Sequence, residues 1–124
     1  MIINSTITDE RICRHIEIGI AYDADIDKAK HIFREEVLNH PLHIDGRNEE
    51  QIAKGVDEVI VRVITLGDFA VTLRAWAWAN NPPESFQMAC DVLESVKKRF
   101  DREGIEIPFP YWTLVYKKDL IKVK

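Results

Sequence analysis

Three side chains that could bind a metal ion lie close together in the sequence, namely His40, His43 and Asp45. Imidazole and carboxylate groups are common ligands of zinc and related divalent ions. Their spacing is unspecific, and histidines beside a proline turn such as Asn39-His40-Pro41 are usually solvated surface groups. A metal site therefore stays open as an alternative, but the expectation is a chain that needs no metal and no other cofactor.

The remaining reactive residues form no pattern typical of an enzyme. Cys13 and Cys90 lie far apart without CxxC spacing, which predicts two buried thiols in a reducing compartment. No Ser-His-Asp, Cys-His, HExxH or glycine-rich phosphate motif occurs. An acylphosphatase-like enzyme would need an anion-binding loop after its first strand, whereas the loop Tyr22-Asp23-Ala24-Asp25 carries carboxylates that repel phosphate. The chain is therefore expected not to be an enzyme.

Composition is typical of one soluble domain. The chain has 124 residues, of which 46% are hydrophobic and 31% charged, and its formal net charge is −4. This length can close a core without a disulfide or a metal. A negative net charge gives no general electrostatic attraction to nucleic acid or anionic lipid. No apolar run of the sequence is long enough to span a bilayer.

Hydrophobic periodicity predicts the elements that would position these residues. Alternation of apolar and polar residues predicts strands, apolar spacing of three and four predicts helices, and Asn, Pro and Gly mark their ends. The predicted order is a strand at 14–22, a helix at 25–38, a polar connection at 40–55 with one helical turn at 48–53, strands at 59–65 and 69–79, a helix from 82 to Gly104, and a last strand at 105–116 broken by Pro108 and Pro110.

This order, β-α-β-β-α-β, predicts an α+β ferredoxin-like sandwich in which two helices cover one face of a four-stranded antiparallel sheet. The apolar stripe of its second helix is predicted to contain Phe86, Ala89, Cys90, Leu93, Val96 and Phe100.

The residue types on the two faces of the third predicted strand indicate a contact surface. Val71, Leu73, Ala75, Ala77 and Ala79 share one face with Phe69, where small alanines let a helix approach closely. Arg74, Trp76 and Trp78 then fall on the other face, which neither helix covers. Exposed aromatic patches of several hundred Å² usually mark contacts with another molecule. The alternative is that the two faces are inverted and both tryptophans are core residues.

Two binding modules share this fold. An RNA-recognition module also carries aromatics two residues apart on its third strand, but strand one here offers Glu17 and Gly19 rather than a stacking aromatic, and the net charge has the wrong sign. A free-standing regulatory module that binds a small ligand such as an amino acid remains the main alternative, although its ligand loop is usually glycine-rich.

Four stretches together resemble the cytoplasmic C-terminal region of the small-conductance mechanosensitive channel family. The family's middle β domain ends in an Ile-Pro-Asn-Ser stretch, which resembles Ile2-Ile3-Asn4-Ser5-Thr6 with Ile3 in place of proline. The family's first helix is preceded by a Gly-Val-Ala-Tyr-Asp segment, which resembles Gly19-Ile20-Ala21-Tyr22-Asp23. Leu66-Gly67-Asp68 followed by Val71-Thr72-Leu73-Arg74-Ala75-Trp76 resembles its hairpin. Gly104-Ile105-Glu106-Ile107-Pro108-Phe109-Pro110 is similar to its most characteristic motif.

The resemblance implies a non-enzymatic role in a membrane channel that opens under bilayer tension and relieves hypo-osmotic shock. Such a segment forms the wall of a cytoplasmic vestibule, in which seven identical subunits pack side by side and ions and small solutes pass between them. Residues 1–13 would be a remnant of the middle β domain, 14–111 the ferredoxin-like domain and 112–124 a C-terminal strand with a basic tail. The chain would then be a soluble fragment of a longer subunit, on the cytoplasmic side of the inner membrane.

The resemblance also implies the subunit contacts. After the Pro108-Phe109-Pro110 bend, each chain would donate the strand Trp112-Thr113-Leu114-Val115-Tyr116 to a seven-stranded parallel barrel. A lone strand needs such neighbours because its backbone groups otherwise stay unpaired. The expected contact residues are Arg74, Trp76 and Trp78 on the sheet and Pro108, Phe109, Pro110, Trp112, Leu114 and Tyr116 near the C-terminus.

Overall fold

Three strands and three helices make up residues 9–108, the part of the chain that a computed structural model describes. In chain order they are β1 (Ile12–Ile20), α1 (Ile26–Leu38), α2 (Glu49–Ala53), β2 (Ile60–Leu66), β3 (Val71–Ala79) and α3 (Pro82–Glu103). The predicted helices are therefore present, and β1 begins two residues earlier than the alternation predicts.

The strands form one antiparallel sheet in the order β1-β3-β2. Because β3 is antiparallel to both neighbours, β1 and β2 run parallel with β3 inserted between them. This is an α+β fold with three of the four predicted strands. Residues 105–108 are not part of a strand, although the Ala21 N–H donates to the Glu106 carbonyl at 2.9 Å beside the end of β1. The rest of the predicted fourth strand lies outside the described residues.

Local sequence signals fix the ends of the two long helices. The Asp25 side chain caps α1 by accepting from the Lys28 N–H, and the Asn81 side chain caps α3 by accepting from the Glu84 N–H. Gly104 ends α3 in the left-handed conformation with φ of +78°. A side chain is strained there, which is why glycine suits this C-terminal position.

The core lies between the sheet and the two long helices. On β3 the alternate residues Val71, Leu73, Ala75, Ala77 and Ala79 are all buried, and they pack in one cluster with α1 and α3. Ile16 and Ile20 of β1 join this core, whereas Tyr22, the last residue of the predicted strand, follows the observed one and is 53% exposed. Its hydroxyl donates instead to the Gly67 carbonyl in the hairpin.

The inward face of α3 differs from the predicted stripe. Ser85, Met88, Val92, Val96 and Phe100 are buried, whereas Phe86 is 62% exposed and Leu93 is 38% exposed. The two stripes lie next to each other on the helix, and the prediction combined members of both. Cys90 falls on the outward stripe and is exposed, so the expectation of a buried thiol is wrong there. Cys13 is half-buried, and burial raises the pKa of its thiol.

None of the helices between residues 9 and 108 is both long enough and apolar enough to cross a membrane.

Candidate functional site

The face of the sheet turned away from α1 and α3 carries the predicted contact residues of β3. We call it the open sheet face, and it consists of Arg74, Trp76 and Trp78 of β3 with their cross-strand neighbours His15 and Glu17 of β1 and Ile60 and Arg62 of β2. Both tryptophans are half-buried, while the intervening alanines are buried on the opposite side. The alternation therefore placed the tryptophans on the correct face.

Arg74 and Trp76 are held in place by β1. The Arg74 guanidinium donates to the Glu17 carboxylate, with an Nη2–Oε2 distance of 2.6 Å. The same guanidinium carbon lies 5.5 Å from the Trp76 ring centroid, within the range of a cation–π contact. On the other side, the His15 ring meets Trp76 edge to face at a centroid distance of 5.5 Å. The Trp76 indole is thus presented in an ordered position.

Part of the polar connection covers Trp78. We call residues 40–47 the strap. The Ile44 N–H donates to the Trp78 carbonyl at 3.0 Å, and Gly46 lies directly against the Trp78 ring. The aromatic patch is therefore partly covered by the chain itself, and no local sequence pattern predicts this contact.

Two histidines anchor the strap to different elements. His40 Nε2 lies 2.8 Å from an Asp91 carboxylate oxygen on α3, and His40 Nδ1 accepts the Leu42 N–H, so the ring proton belongs on Nε2. His43 Nε2 lies 2.9 Å from a Glu58 carboxylate oxygen just before β2. His43 Nδ1 is buried without a hydrogen-bond partner. Both rings act as structural links between the strap and the domain.

Asp45, the third candidate metal ligand, is paired with an arginine. Its carboxylate accepts from the Arg47 side chain at 2.8 Å and from the Arg47 backbone N–H at 3.0 Å, which lowers the pKa of Asp45 to about 2. The three candidate ligands therefore have three separate partners. Across residues 9–108, no three histidine, cysteine or acidic side chains are grouped in a way that could hold a metal ion.

Pro108 lies far from the tryptophans along the sheet. It lines a cleft with Tyr22, Asp68 and Phe69 beside the ends of β1 and the hairpin, whereas Trp78 lies near the opposite end of β3. The other predicted contact residues lie outside the described residues, namely Phe109, Pro110, Trp112, Leu114 and Tyr116. The structure thus groups Arg74, Trp76 and Trp78 and separates Pro108 from them.

The sequence places Arg74 and Trp76 on the open sheet face but does not by itself identify the side chains that contact them. His15 lies opposite Trp76, and Glu17 lies opposite Arg74 in the β1–β3 register. Pairing β1 and β3 in the correct antiparallel register would identify His15 and Glu17 as these partners, since directly opposed side chains on one face of a sheet interact. The Gly46 contact has no comparable signal, because a loop glycine does not reveal which ring it approaches.

Comparison with known proteins identifies the family. Residues 15–107 match the model of the mechanosensitive ion channel MscS C-terminal region. The match covers most of the chain, and the chain therefore belongs to the MscS family of mechanosensitive channels.

Relatives from archaea and bacteria agree with this assignment. The chain is 29% identical over 121 residues to the small-conductance mechanosensitive channel MscMJ of Methanocaldococcus jannaschii, covering 94% of this chain and 31% of the relative. It is 30% identical over 97 residues to a small-conductance mechanosensitive channel of Edwardsiella ictaluri, covering 77% of this chain and 29% of the relative. The chain thus spans about a third of the length of the curated relatives it matches.

A solved structure shares the fold. The crystal structure of Helicobacter pylori MscS in a closed state superposes with a TM-score of 0.66 at 21% sequence identity, covering 93% of this chain and 41% of that one. At this identity the likeness supports the fold alone.

Proposed function

We propose that this chain forms part of the cytoplasmic vestibule of a tension-gated channel of the small-conductance family. In this role it contributes to subunit assembly and to the passage of ions and small solutes, and it performs no catalysis. Family membership supports the proposal, because the matched region is the C-terminal part of such channels. The membrane contact would be made by other parts of the full-length subunit.

The open sheet face is the observation that carries the assembly role. Arg74 and Trp76 are ordered by neighbouring side chains and Trp78 is contacted by the strap, but none of the three is covered by α1 or α3. Tryptophan and arginine are the residues most enriched at the energetic centres of protein interfaces. A preordered indole loses little conformational entropy on binding, which favours Trp76 as a contact with an identical subunit.

The C-terminal residues supply the second part of the proposal. The strand Trp112-Thr113-Leu114-Val115-Tyr116 would join equivalent strands of its neighbours in a parallel barrel, with Phe109 and Pro110 at the bend. Seven copies are expected from the family resemblance. Symmetric closure would pair every backbone group and remove the open edges. Residues 1–13 would belong to the preceding β domain, 14–111 to the ferredoxin-like domain and 112–124 to the strand and tail.

Sedimentation velocity over a range of concentrations tests the assembly role. The 124-residue chain should self-associate, and Trp76→Ala should weaken the association constant about tenfold or more, as expected for the loss of an interface tryptophan. Phe86→Ala is the matched control, because it removes an exposed aromatic from α3 on the other side of the domain. A strict monomer at high concentration, unchanged by Trp76→Ala, would contradict the proposal.

A further inference from the structure

A cleft beside the edge of β2 that faces away from β3 is lined by three cationic side chains. Lys30 and Arg34 reach it from α1, and Arg62 reaches it from β2. The lining is completed by Gly55, Val56, Asp57, Ile60 and Val61. The cleft has a volume of about 360 Å³, which is ample for a small ion or metabolite.

Among the described residues, the three cations of this cleft have no carboxylate partner, whereas most other basic side chains have one. Arg47, Arg74 and Arg99 each form ion pairs at 2.6–2.8 Å. Lys28, Lys54, Lys97 and Lys98 also pair with carboxylates. Within residues 9–108, no carboxylate lies within ion-pair distance of Lys30, Arg34 or Arg62. Asp57 is the one acidic residue of the lining. The three cationic side chains therefore outnumber it, and the cleft carries an excess of positive charge.

The arrangement is electrostatically unfavourable when the cleft is empty. Lys30 and Arg34 are four residues apart on α1, where like charges repel each other. Arg62 adds a third positive charge from β2, in a chain whose overall charge is −4. A bound anion would neutralise this repulsion, and the cleft is thus suited to a negatively charged ligand.

Arg34 is already oriented for such a ligand. Its Nε–H donates to the Val59 carbonyl at 3.1 Å, which fixes the guanidinium against the start of β2. The two terminal nitrogens of Arg34 have no hydrogen-bond partner among the described residues. A planar guanidinium with both terminal nitrogens free can bind two oxygens of a phosphate or carboxylate side by side.

From this geometry we propose that the cleft formed by Lys30, Arg34 and Arg62 binds a small oxyanion, either a phosphate or a carboxylate. The inference concerns the isolated domain and does not depend on channel assembly. It would give the domain a ligand site at the β2 edge of the open sheet face, with which the cleft shares Ile60 and Arg62.

Titration of the 124-residue chain by NMR, at constant ionic strength set with chloride, tests the proposal. Inorganic phosphate and acetate are the two probes, and saturable shifts of backbone amides in β2 and α1 with either one support an oxyanion site and identify the preferred group. Arg62→Gln and Lys30→Gln should each weaken binding about three- to fivefold, the effect of removing one partly exposed ion pair. Arg34 is left intact because its bond to Val59 also supports the fold.

Arg102→Gln is the matched control. Arg102 is exposed like Arg62 and lacks a carboxylate within ion-pair distance among the described residues, but it lies in the last turn of α3. This variant should bind both anions with unchanged affinity. The proposal is overturned if neither anion gives saturable shifts beyond those of chloride, or if Arg102→Gln weakens binding as much as Arg62→Gln. It is also overturned if Arg62→Gln abolishes self-association while neither anion binds, because the cations would then pair with a neighbouring copy.

Discussion

Gly46 lies so close to the indole of Trp78 that a Cβ atom at this position would approach three ring carbons to less than 3.0 Å. These carbons are the part of the ring nearest the Trp78 backbone rather than the far end of the side chain, so a small movement of the ring tip does not make room. Residue 46 must therefore be glycine for lack of space, and this contact sets how closely the strap can lie over the open sheet face.

Gly46→Ala should destabilise the domain by about 1–3 kcal/mol, the usual cost of forcing an extra carbon into a packed site. Urea unfolding followed by tryptophan fluorescence measures the change in free energy. The matched control is Gly46→Ala in a Trp78→Ala background, where the steric conflict is gone and the added cost should be close to zero. Equal costs in both backgrounds would show that the Trp78 ring is not the obstacle.

The hydroxyl of Ser85 links β1 to α3 from within the core. It accepts two hydrogen bonds from the Arg14 guanidinium, at 3.1 and 2.9 Å, and donates to the Pro82 carbonyl at 2.8 Å. Ser85→Ala should cost about 1–3 kcal/mol, because part of the half-buried guanidinium loses its partner. Ser95→Ala is the control on the same helix, since within residues 9–108 its hydroxyl bonds only to the Val92 carbonyl. A loss below about 0.5 kcal/mol is expected there.

Two phenylalanines of α3 differ in burial although both were predicted to face the core. Phe100 is fully buried, and Phe100→Ala should destabilise the domain by about 3–5 kcal/mol through the cavity it leaves. Phe86 is 62% exposed, and Phe86→Ala should change the free energy of unfolding by less than about 0.5 kcal/mol. Thermal or urea unfolding of the pair distinguishes the observed face of the helix from the predicted one. Similar losses for both variants would contradict the observed face.

A cluster around Arg99 joins α1 to α3 and predicts a pH dependence. Arg99 contacts Glu35 and Glu103 at 2.7 Å, and its hydrogen bonds lower the pKa of both carboxyl groups. Their stabilising contribution is therefore complete above the ordinary carboxyl value of 4.5 and is lost as the pH falls through the lowered values. Arg99→Gln should be less stable than the parent near neutral pH, and the difference should shrink in acid.

Urea unfolding of both proteins at about pH 7 and about pH 3 measures this difference. Lys98→Gln is the control, because its ion pair with Glu94 joins two side chains that are about two-thirds exposed. Such pairs contribute little, so this variant should follow the parent at both pH values. A stability gap for Arg99→Gln that stays constant with pH would show that the carboxyl groups are not responsible.

The sheet was more predictable from sequence than the second long helix. On β3 the two faces differ sharply in chemistry, with three alanines on one side and two tryptophans on the other, so alternation alone assigns them. On α3 apolar residues occupy more than one stripe, and periodicity cannot tell the stripe of Met88 and Val92 from that of Phe86 and Leu93. Ser85 was missed because a buried hydroxyl depends on its partner Arg14, which lies 71 positions away.

The polar connection at 40–55, which includes the strap, shows the same limit. The one helical turn of this connection, α2, was predictable from the Asn48 cap, because that signal is local. Its anchors were not, because His40 bonds to Asp91 at a separation of 51 residues and Gly46 contacts a ring on another strand. Residue type and alternation place Arg74 and Trp76 on the open sheet face, whereas their supporting partners depend on strand register.

The bond between Ala21 and Glu106 has a mechanical consequence. Asp9 precedes β1, and Glu106 lies beside the far end of the same strand, which is about 30 Å long. A pulling force applied between these two points acts along β1 and loads its whole ladder of hydrogen bonds to β3 together. Rupture in this shearing direction requires many bonds to break at once, so the domain should resist stretch far better than if the same strand were peeled from one end.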